Sequence, residues 1–405
     1  MKPRACLLLP LVAAACQQAP ATHHRARVEV PDVPPTDGGT RRCAMRADAP
    51  SDVSHAASPD RVRVAWNGEH WGIVWSEVID DESAVFFARV DADGRRPRPP
   101  LRVSERRTQG RAPAVVWNRT AWSVFFTGGT REVGDLYQAR VTARGSAVGR
   151  PWRMTRGARY DVDPSIAAAD AALGLAWVAR EETGRWSVYG EVLDAWDRPV
   201  GELLPLRNSS LTLGATEIVW AGDGFGIAYV GAGREVFSVE LARIDRTGLA
   251  RGGVTRLTPD RLGDVTADAR FAIAWNGQRY GLAWTELRDG ERLLLFRWVS
   301  ARGNPLDEPR RLGIPGELSR APALAAVGDG TLALAWETER EGDRRVAVAI
   351  LDEDGATQRE PVTVRGVEGD ARRPSIAVSR DAVGIATRSE RGLSFHRVTL
   401  GRCAR

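Results

Sequence analysis

The chain has 405 residues, of which 43% are hydrophobic and 27% are charged, and its formal net charge is +5. Lysine occurs once, at Lys2, and the arginines that supply the remaining basic charge alternate with acidic residues along the chain. This mixed pattern predicts a solvated, salt-bridged surface and, without a basic stripe, excludes a typical nucleic-acid-binding protein.

Residues 1–15 have the organisation of a signal peptide. Lys2 and Arg4 precede an apolar core at Leu7–Leu11, and three alanines follow at residues 13–15. The apolar run is too short to span a membrane and remain there. We therefore expect the chain to be exported, which removes this leader from the mature protein.

The end of the leader resembles a bacterial lipobox. Ala14 and Ala15 precede Cys16, and the resemblance implies that Cys16 is lipidated and becomes the mature N-terminus. Ala13 departs from the pattern, because leucine is usual there, so ordinary cleavage nearby is the alternative. Gln17 resembles the sorting residue of enteric outer-membrane lipoproteins, which implies attachment to the outer membrane of the cell envelope rather than a soluble periplasmic location.

Residues 16–42 are expected to form a lipidated, disordered tether. The segment is rich in proline, alanine and threonine, and it contains little apolar surface to bury. Pro31, Pro34 and Pro35 stiffen it. Fully extended, it reaches up to about 80 Å at roughly 3.1 Å per residue.

Residues 43–405 contain a module of about 51 residues that occurs seven times. The fifth copy is the clearest, with apolar runs at Phe271–Trp275, Tyr280–Trp284 and Leu293–Val299 and a fourth strand that ends near Leu312. Asn276-Gly277 between the first two runs is a strong hairpin signal. The position that ends the first strand recurs at steps of 51 to 55 residues, at Trp66, Trp117, Ala168, Trp220, Trp275, Ala326 and Val378.

This period predicts an all-β fold, a seven-bladed β-propeller with four antiparallel strands in each blade. A β-helix repeats at roughly 20–30 residues, and a sandwich has no such period, so both fit less well. A turn with glycine follows the third strand in most copies, whereas Asp197-Arg198 replaces it in the third. Six internal outer strands are predicted, at Leu101–Ser104, Pro151–Thr155, Leu203–Arg207, Val254–Thr258, Pro309–Leu312 and Pro361–Val364.

Seven blades with six internal outer strands require a closing strand from elsewhere. Cys43–Arg46 precedes the first blade and is the predicted closing strand of the last one. Ring closure would bring Cys43 beside Cys403, which follows the last strand, so we predict a disulfide between them. Two unrelated free thiols are the alternative.

The whole chain resembles lipid-anchored propeller proteins of bacterial envelopes that share a W-N-G-x-x-Y-G-x-x-W-x-E-type repeat. The motif stands here as Trp66-Asn67-Gly68 to Glu77 and as Trp275-Asn276-Gly277 to Glu286. It specifies the fold far more than the function.

A binding site is expected on one face of the disc. In propellers, ligands usually meet the loops that connect strands two and three and the loops that connect successive blades; we call this side the loop face. Here these loops are dense in charged residues, whereas the opposite side, the turn face, carries plain hairpin turns. The candidate binding residues are Glu77, Asp80, Asp81, Arg131, Arg180, Glu181, Glu286, Arg234, Arg288, Glu339, Arg340 and Arg388.

Three functions are compatible with this pattern. The first is a binding or scaffolding module that captures a protein or glycan partner as a monomer tethered to the membrane. The second is a carbohydrate-active hydrolase or lyase with its site at the channel mouth, where Glu77 or Glu286 could act. The third is a structural envelope component without a discrete site. The sequence contains no sialidase-type box, G-x-S-x-G motif or metal-ligand cluster, so we assign no catalytic residue, metal or cofactor.

Overall fold

The computed structural model describes residues 45–55, 59–130, 132–157, 159–170, 172–201, 203, 205–209, 214–232, 237–259, 271–288, 290–367 and 369–401. Within these ranges the chain forms seven antiparallel sheets in a ring, and no helix occurs. The predicted seven-bladed β-propeller is therefore confirmed. Within the same ranges, no helix is long and apolar enough to cross a membrane.

The first four blades follow two short N-terminal strands, β1 (Arg46–Ala47) and β2 (Ser51–Ser54). Blade 1 contains β3 (Asp60–Trp66), β4 (His70–Ile79), β5 (Glu82–Asp91) and β6 (Leu101–Arg102). Blade 2 contains β7 (Arg111–Trp117), β8 (Trp122–Gly129), β9 (Gly134–Val141) and β10 (Ala147–Arg153). Blade 3 contains β11 (Tyr160–Ala168), β12 (Leu173–Arg180), β13 (Trp186–Leu193), and an outer strand split into β14 (Pro199–Val200) and β15 (Pro205–Ser209). Blade 4 contains β16 (Gly214–Trp220), β17 (Gly224–Ala232), β18 (Phe237–Asp245) and β19 (Thr255–Arg256).

The remaining blades complete the ring. Blade 5 contains β20 (Phe271–Trp275), β21 (Tyr280–Arg288), β22 (Glu291–Val299) and β23 (Arg310–Leu312). Blade 6 contains β24 (Leu318–Gly328), β25 (Thr331–Arg340), β26 (Asp343–Leu351) and β27 (Val362–Val364). Blade 7 contains β28 (Arg372–Val378), β29 (Ala382–Arg388) and β30 (Leu393–Thr399), and β1 and β2 pair with β30.

The N-terminus supplies the outer strand of the last blade, as predicted, but the strand lies further along the chain than Cys43–Arg46. Arg46 pairs with Thr399, and Ser51 pairs with Phe395. Val53 explains the position, because its fully buried side chain belongs to the core cluster that also contains Phe395. The predicted pair of Cys43 and Cys403 lies outside the described residues.

Aromatic side chains from one blade pack against glycines of the blade before it. A Cβ at Gly72 would lie 2.8 Å from the Trp122 ring, so only glycine admits the close approach of blade 2. The same contact closes the ring, since a Cβ at Gly384 of blade 7 would lie 2.6 Å from Trp71 of blade 1. The core is thus a series of layers between adjacent sheets, and it holds each blade at a fixed angle to the next.

Candidate functional site

Hydrogen bonds join the strand two–three connections to the connections between blades, so both sets lie on one face. Arg111 Nη1 donates to Gly129 O at 2.6 Å, and Gly129 N donates to Thr108 O at 2.7 Å. Between the last and first blades, Arg388 Nη1 donates to Pro59 O at 3.0 Å. In these described parts of the loop face, hydrogen bonds to backbone carbonyls hold neighbouring loops together.

The innermost strands carry a bulge at the same position of the module, a feature that the sequence did not indicate. In each case a non-glycine residue has a positive φ, between 42° and 58°, five residues before the position that ends the strand. Strand pairing shifts register beside each of them. Bulges of this kind redirect side chains and recur near functional sites. The bulge residues within the described ranges are Arg61, Ala112, Asp163, Ala215, Ala321 and Arg373.

Ion pairs cross the middle of the ring from blade 1. Arg61 Nη2 lies 3.0 Å from Asp163 Oδ2 of blade 3, and Arg63 Nη2 lies 2.9 Å from Glu217 Oε1 of blade 4. Innermost strands of non-adjacent blades can be joined only through the central channel. The channel is therefore bridged by side chains, and a ligand would meet the ring at its mouth rather than along an open axis.

The buried candidate glutamates bind neighbouring framework groups. Trp75 Nε1 donates to Glu77 Oε2 at 3.1 Å, and burial raises the pKa of Glu77 above its ordinary value, with this bond opposing the shift. Arg288 Nη2 donates to Glu286 Oε1 at 3.0 Å. The second oxygen, Glu286 Oε2, is buried and has no hydrogen-bond partner among the described residues. Both side chains are buried, which makes their carboxylates poorly accessible to a large ligand.

Three further candidate positions contribute to contacts at the loop face. Tyr189 donates a hydrogen bond to Glu181 Oε1 at 2.7 Å. Glu339 Oε2 lies 3.2 Å from Arg344 Nε, while Arg388 Nη1 donates to Asp60 Oδ1 at 3.0 Å. The Glu181 and Glu339 contacts lie within blades 3 and 6, and the Arg388 contact joins blade 7 to blade 1.

The exposed candidates are spread around the loop face. Asp80 and Asp81 form the turn between β4 and β5, with φ of 51° and 62°, and both are exposed. Arg180 and Arg340 end the second strands of blades 3 and 6 and are also exposed. Because blades 1, 3 and 6 are not adjacent, these side chains do not converge on one point. The remaining candidates, Arg131 and Arg234, lie outside the described residues.

An arginine–tyrosine cluster between blades 2 and 3 is the densest group of aromatic–cation contacts on the loop face. The guanidinium carbons of Arg111 and Arg180 lie 5.8 and 5.7 Å from the centre of the Tyr160 ring. Arg159 lies 4.7 Å from the centre of the Tyr189 ring. Sequence reasoning selected only Arg180 and Glu181 here. The distribution of tyrosine could have indicated the cluster, since three of the five tyrosines of the sequence lie at residues 137–189.

Two buried carboxylates lie beneath this cluster. Burial raises the pKa of Asp161, Arg159 lowers it, and the charge of Asp135 adds to the increase. Asp161 Oδ1 accepts a hydrogen bond from Trp177 Nε1 at 3.0 Å, and Asp135 Oδ2 lies 2.6 Å from Arg153 Nη2. Asp135 Oδ1 is buried without a hydrogen-bond partner among the described residues. A raised pKa such as that of Asp161 is a feature of acid–base sites, although Asp161 and Asp135 are both buried.

No group of three or more histidine, cysteine, aspartate or glutamate side chains with the geometry of a metal site occurs among the described residues.

No family model matches the chain, and no curated protein matches it. Among solved structures, the chain is similar to one of two prolyl endopeptidases studied for inter-domain dynamics, with a TM-score of 0.49 and 16% identity over 83% of this chain and 46% of that chain. It thus spans less than half the length of that protein. It is also similar to a neuraminidase-like protein from A/bat/Guatemala/164/2009, with a TM-score of 0.48 and 7% identity over 90% of this chain and 96% of the other.

A third similar structure is the GH43 endo-arabinanase from Bacillus licheniformis, with a TM-score of 0.36 and 14% identity over 62% of this chain and 99% of that enzyme. Identities this low do not indicate a shared activity.

Proposed function

We propose that this protein is a binding or scaffolding module of the bacterial cell envelope, and that its loop face captures a protein or a glycan. The single observation that carries the proposal is the surroundings of Tyr160. The Arg180 guanidinium lies over the Tyr160 ring, is exposed, and forms no hydrogen bond or ion pair with a described residue. A free guanidinium beside an aromatic face suits a ligand with an anionic group and a flat apolar surface.

The contacts of the charged side chains near the channel support binding rather than catalysis at the channel mouth. Glu77 and Glu286 contact Trp75 and Arg288, and the channel is bridged by Arg63 and Glu217. Hydrogen bonds to backbone carbonyls restrain the described loops of this face, from Arg111 to Gly129 within blade 2 and from Arg388 of blade 7 to Pro59. A rigid surface loses little conformational entropy when it binds a partner.

We also propose that the module is held in the envelope by a lipid on Cys16 and acts as a monomer. The leader and the cysteine that follows it are the support for this anchor. The tether would then let the disc reach partners at up to about 80 Å from the bilayer.

Capture of a partner from envelope extracts and from a panel of anionic and neutral polysaccharides tests the proposal. We expect the wild-type chain to retain a specific protein or an anionic glycan, and Arg180→Ala to weaken retention by roughly tenfold, the effect of losing one charge-assisted contact. Arg119→Ala is the matched control, since Arg119 is an exposed arginine on the turn face. Retention that is equal for wild type and Arg180→Ala, or that falls equally in both variants, contradicts the proposal.

A carbohydrate-active hydrolase or lyase is the second candidate, and the Asp135–Asp161 pair is the observation that favours it. Burial and the nearby charge of Asp135 raise the pKa of Asp161, and a carboxyl group that retains its proton can serve as a general acid. This function requires turnover of a polysaccharide that is lost in Asp161→Asn while the variant remains folded. Glu77→Gln and Glu286→Gln provide the comparison for a site at the channel mouth.

A further inference from the structure

Three neighbouring turns on the turn face present large apolar side chains to solvent. Trp196, Leu249 and Leu306 are 68%, 61% and 53% exposed. They lie in or just after the turns that follow the third strands of blades 3, 4 and 5. A single exposed apolar residue is ordinary, whereas exposed apolar residues on three successive blades of one face are typical of an interaction surface.

The turns that follow the third strands of blades 3, 4 and 5 each contact the preceding blade. We call this row of turns, with the equivalent turn of blade 2, the arc. Asp197 beside Trp196 bonds to Ser123 of blade 2. A Cβ at Gly248 would lie 3.5 Å from Val200 O of blade 3. The turn of blade 5 contacts blade 4, because Arg243 Nη1 of blade 4 donates a hydrogen bond to Ala301 O of blade 5 at 3.1 Å.

Exposed arginines accompany the apolar tips. Arg144, Arg198, Arg246 and Arg302 lie in the turns that follow the third strands of blades 2 to 5, one in each turn, and all four are exposed. Arg144 and Arg302 form no ion pair with a described residue. The aspartates of the same turns lie near arginines: Asp194 pairs with Arg198 at 2.8 Å, Asp197 lies 3.4 Å from Arg140, and Asp245 lies 3.8 Å from Arg251. The arc therefore combines exposed apolar side chains with exposed arginines, of which Arg144, Arg246 and Arg302 form no ion pair with a described residue.

The described chain also begins on this face. Third strands run from the loop face to the turn face, so Thr399 at the end of β30 lies on the turn face. Arg46 pairs with Thr399. The segment that leads back from Arg46 towards Cys16 therefore joins the ring on the same side as Trp196.

We propose that this arc docks on the surface of a bilayer that contains anionic lipids. Trp196, Leu249 and Leu306 enter the boundary between headgroups and acyl chains, and the arginines of the arc contact lipid phosphates. A lipid on Cys16 would attach the disc to the bilayer through a segment that joins the ring at the turn face, which favours this partner over a second copy of the chain. Docking leaves the loop face directed away from the membrane. The inference uses the expected anchor and the arc, and it does not depend on the ligand of the loop face.

Sedimentation with vesicles tests the surface without the anchor. The chain from Gln17 to Arg405 lacks the leader and the lipid, and it contains every strand of the ring. We expect it to bind vesicles of phosphatidylcholine with phosphatidylglycerol, to bind phosphatidylcholine alone weakly, and to dissociate at high salt. Trp196→Ser with Leu249→Ser should lower the bound fraction at least about fivefold, as the apolar contribution to interfacial binding is lost.

Val78→Ser is the matched control, because Val78 is 64% exposed on the loop face. It should bind like the wild type, and circular dichroism should show all variants folded. The proposal is overturned if the wild type does not bind anionic vesicles, or if Val78→Ser loses as much binding as the double variant. It is also overturned if the double variant abolishes a dimer of the wild type while vesicle binding is unchanged, since the arc would then be a contact between copies.

Discussion

Asp197 Oδ2 lies 3.0 Å from Ser123 Oγ, so a carboxylate of blade 3 is bound inside blade 2. Asn118 Nδ2 donates to Asp197 Oδ1 at 3.1 Å, and Gln138 Nε2 also donates to Asp197. Most other blades have a glycine at this position of the turn, packed against the preceding blade. The third blade thus replaces an apolar contact with a polar junction.

Removing this carboxylate should destabilise the ring. Asp197→Ala removes the acceptor of Ser123 and Gln138 and the carboxylate beside Arg140, so we expect a loss of about 2–4 kcal/mol in the free energy of unfolding. Urea denaturation measures it. Asp170→Ala is the control, because Asp170 is an exposed aspartate paired only at the surface, and its loss should cost less than about 0.5 kcal/mol. Equal effects of the two substitutions would show that the junction contributes nothing.

Reversing one charge of the Arg63–Glu217 pair should destabilise the fold, whereas exchanging the two residues should restore part of the stability. Arg63→Glu places two acidic groups in contact across the channel, and Glu217→Arg places two basic groups there. We expect each single variant to lose about 1–2 kcal/mol and the double exchange to recover at least half of the combined loss. Thermal denaturation of the four proteins completes the cycle. Additive losses would mean that the two side chains are not paired in solution.

His396 should make the fold sensitive to acid. Burial lowers its pKa from 6.5 to about 4, and Thr387 Oγ1 lies 3.0 Å from its Nε2. Between these two pH values the unfolded chain binds a proton that the folded chain does not, so stability falls as the pH decreases. The loss from this residue is at most about 3 kcal/mol. Denaturation midpoints measured across this range should fall less steeply in His396→Gln than in wild type.

Glu191 should act in the opposite direction. Burial raises its pKa from 4.5 to about 7, so the folded chain retains a proton that the unfolded chain releases. Stability from this group is present below pH 4.5 and is lost as the pH rises to about 7. Glu191→Gln should therefore gain stability relative to wild type as the pH increases. A constant difference between the two proteins across the range would rule out a buried, protonated Glu191.

The ends of the chain should be joined by a disulfide between Cys43 and Cys403. Cys43 is three residues before Arg46, and Cys403 is four residues after its partner Thr399. Closing a loop this long gives at most roughly 5–6 kcal/mol in the chain-entropy model. Mass spectrometry of the unreduced protein should find the linked peptides, and Cys43→Ser should lower the melting temperature. Quantitative alkylation of both cysteines without reductant would exclude the bond.

The fold was predictable because the module of about 51 residues occurs seven times, and each copy predicts the same order of strands. The period of Trp66, Trp117 and their equivalents indicates the blades, and the missing outer strand indicates N-terminal closure. The exact closing strand was not predictable, since burial of Val53 against blade 7 is a tertiary contact. The same limit applies to the bulges and to Arg63 with Glu217, which are 154 positions apart.

The candidate site was predicted less well than the fold. Charged loop residues were selected for their composition, yet Glu77 and Glu339 are used in contacts within the framework. Tyr160 was missed because an aromatic residue in an inner strand normally indicates core. Its position between Arg111 and Arg180 depends on how blades 2 and 3 meet, which one sequence does not reveal.

Binding of the captured partner to the Tyr160 surface tests the central claim most directly. We expect titration of that partner into the wild-type chain to give a saturable isotherm, and Arg180→Ala to weaken the affinity roughly tenfold while Arg119→Ala leaves it unchanged. Arg180→Lys, which keeps the charge but not the planar guanidinium, should give an intermediate value. An unchanged affinity in Arg180→Ala would contradict the assignment of the binding surface to this face of blades 2 and 3.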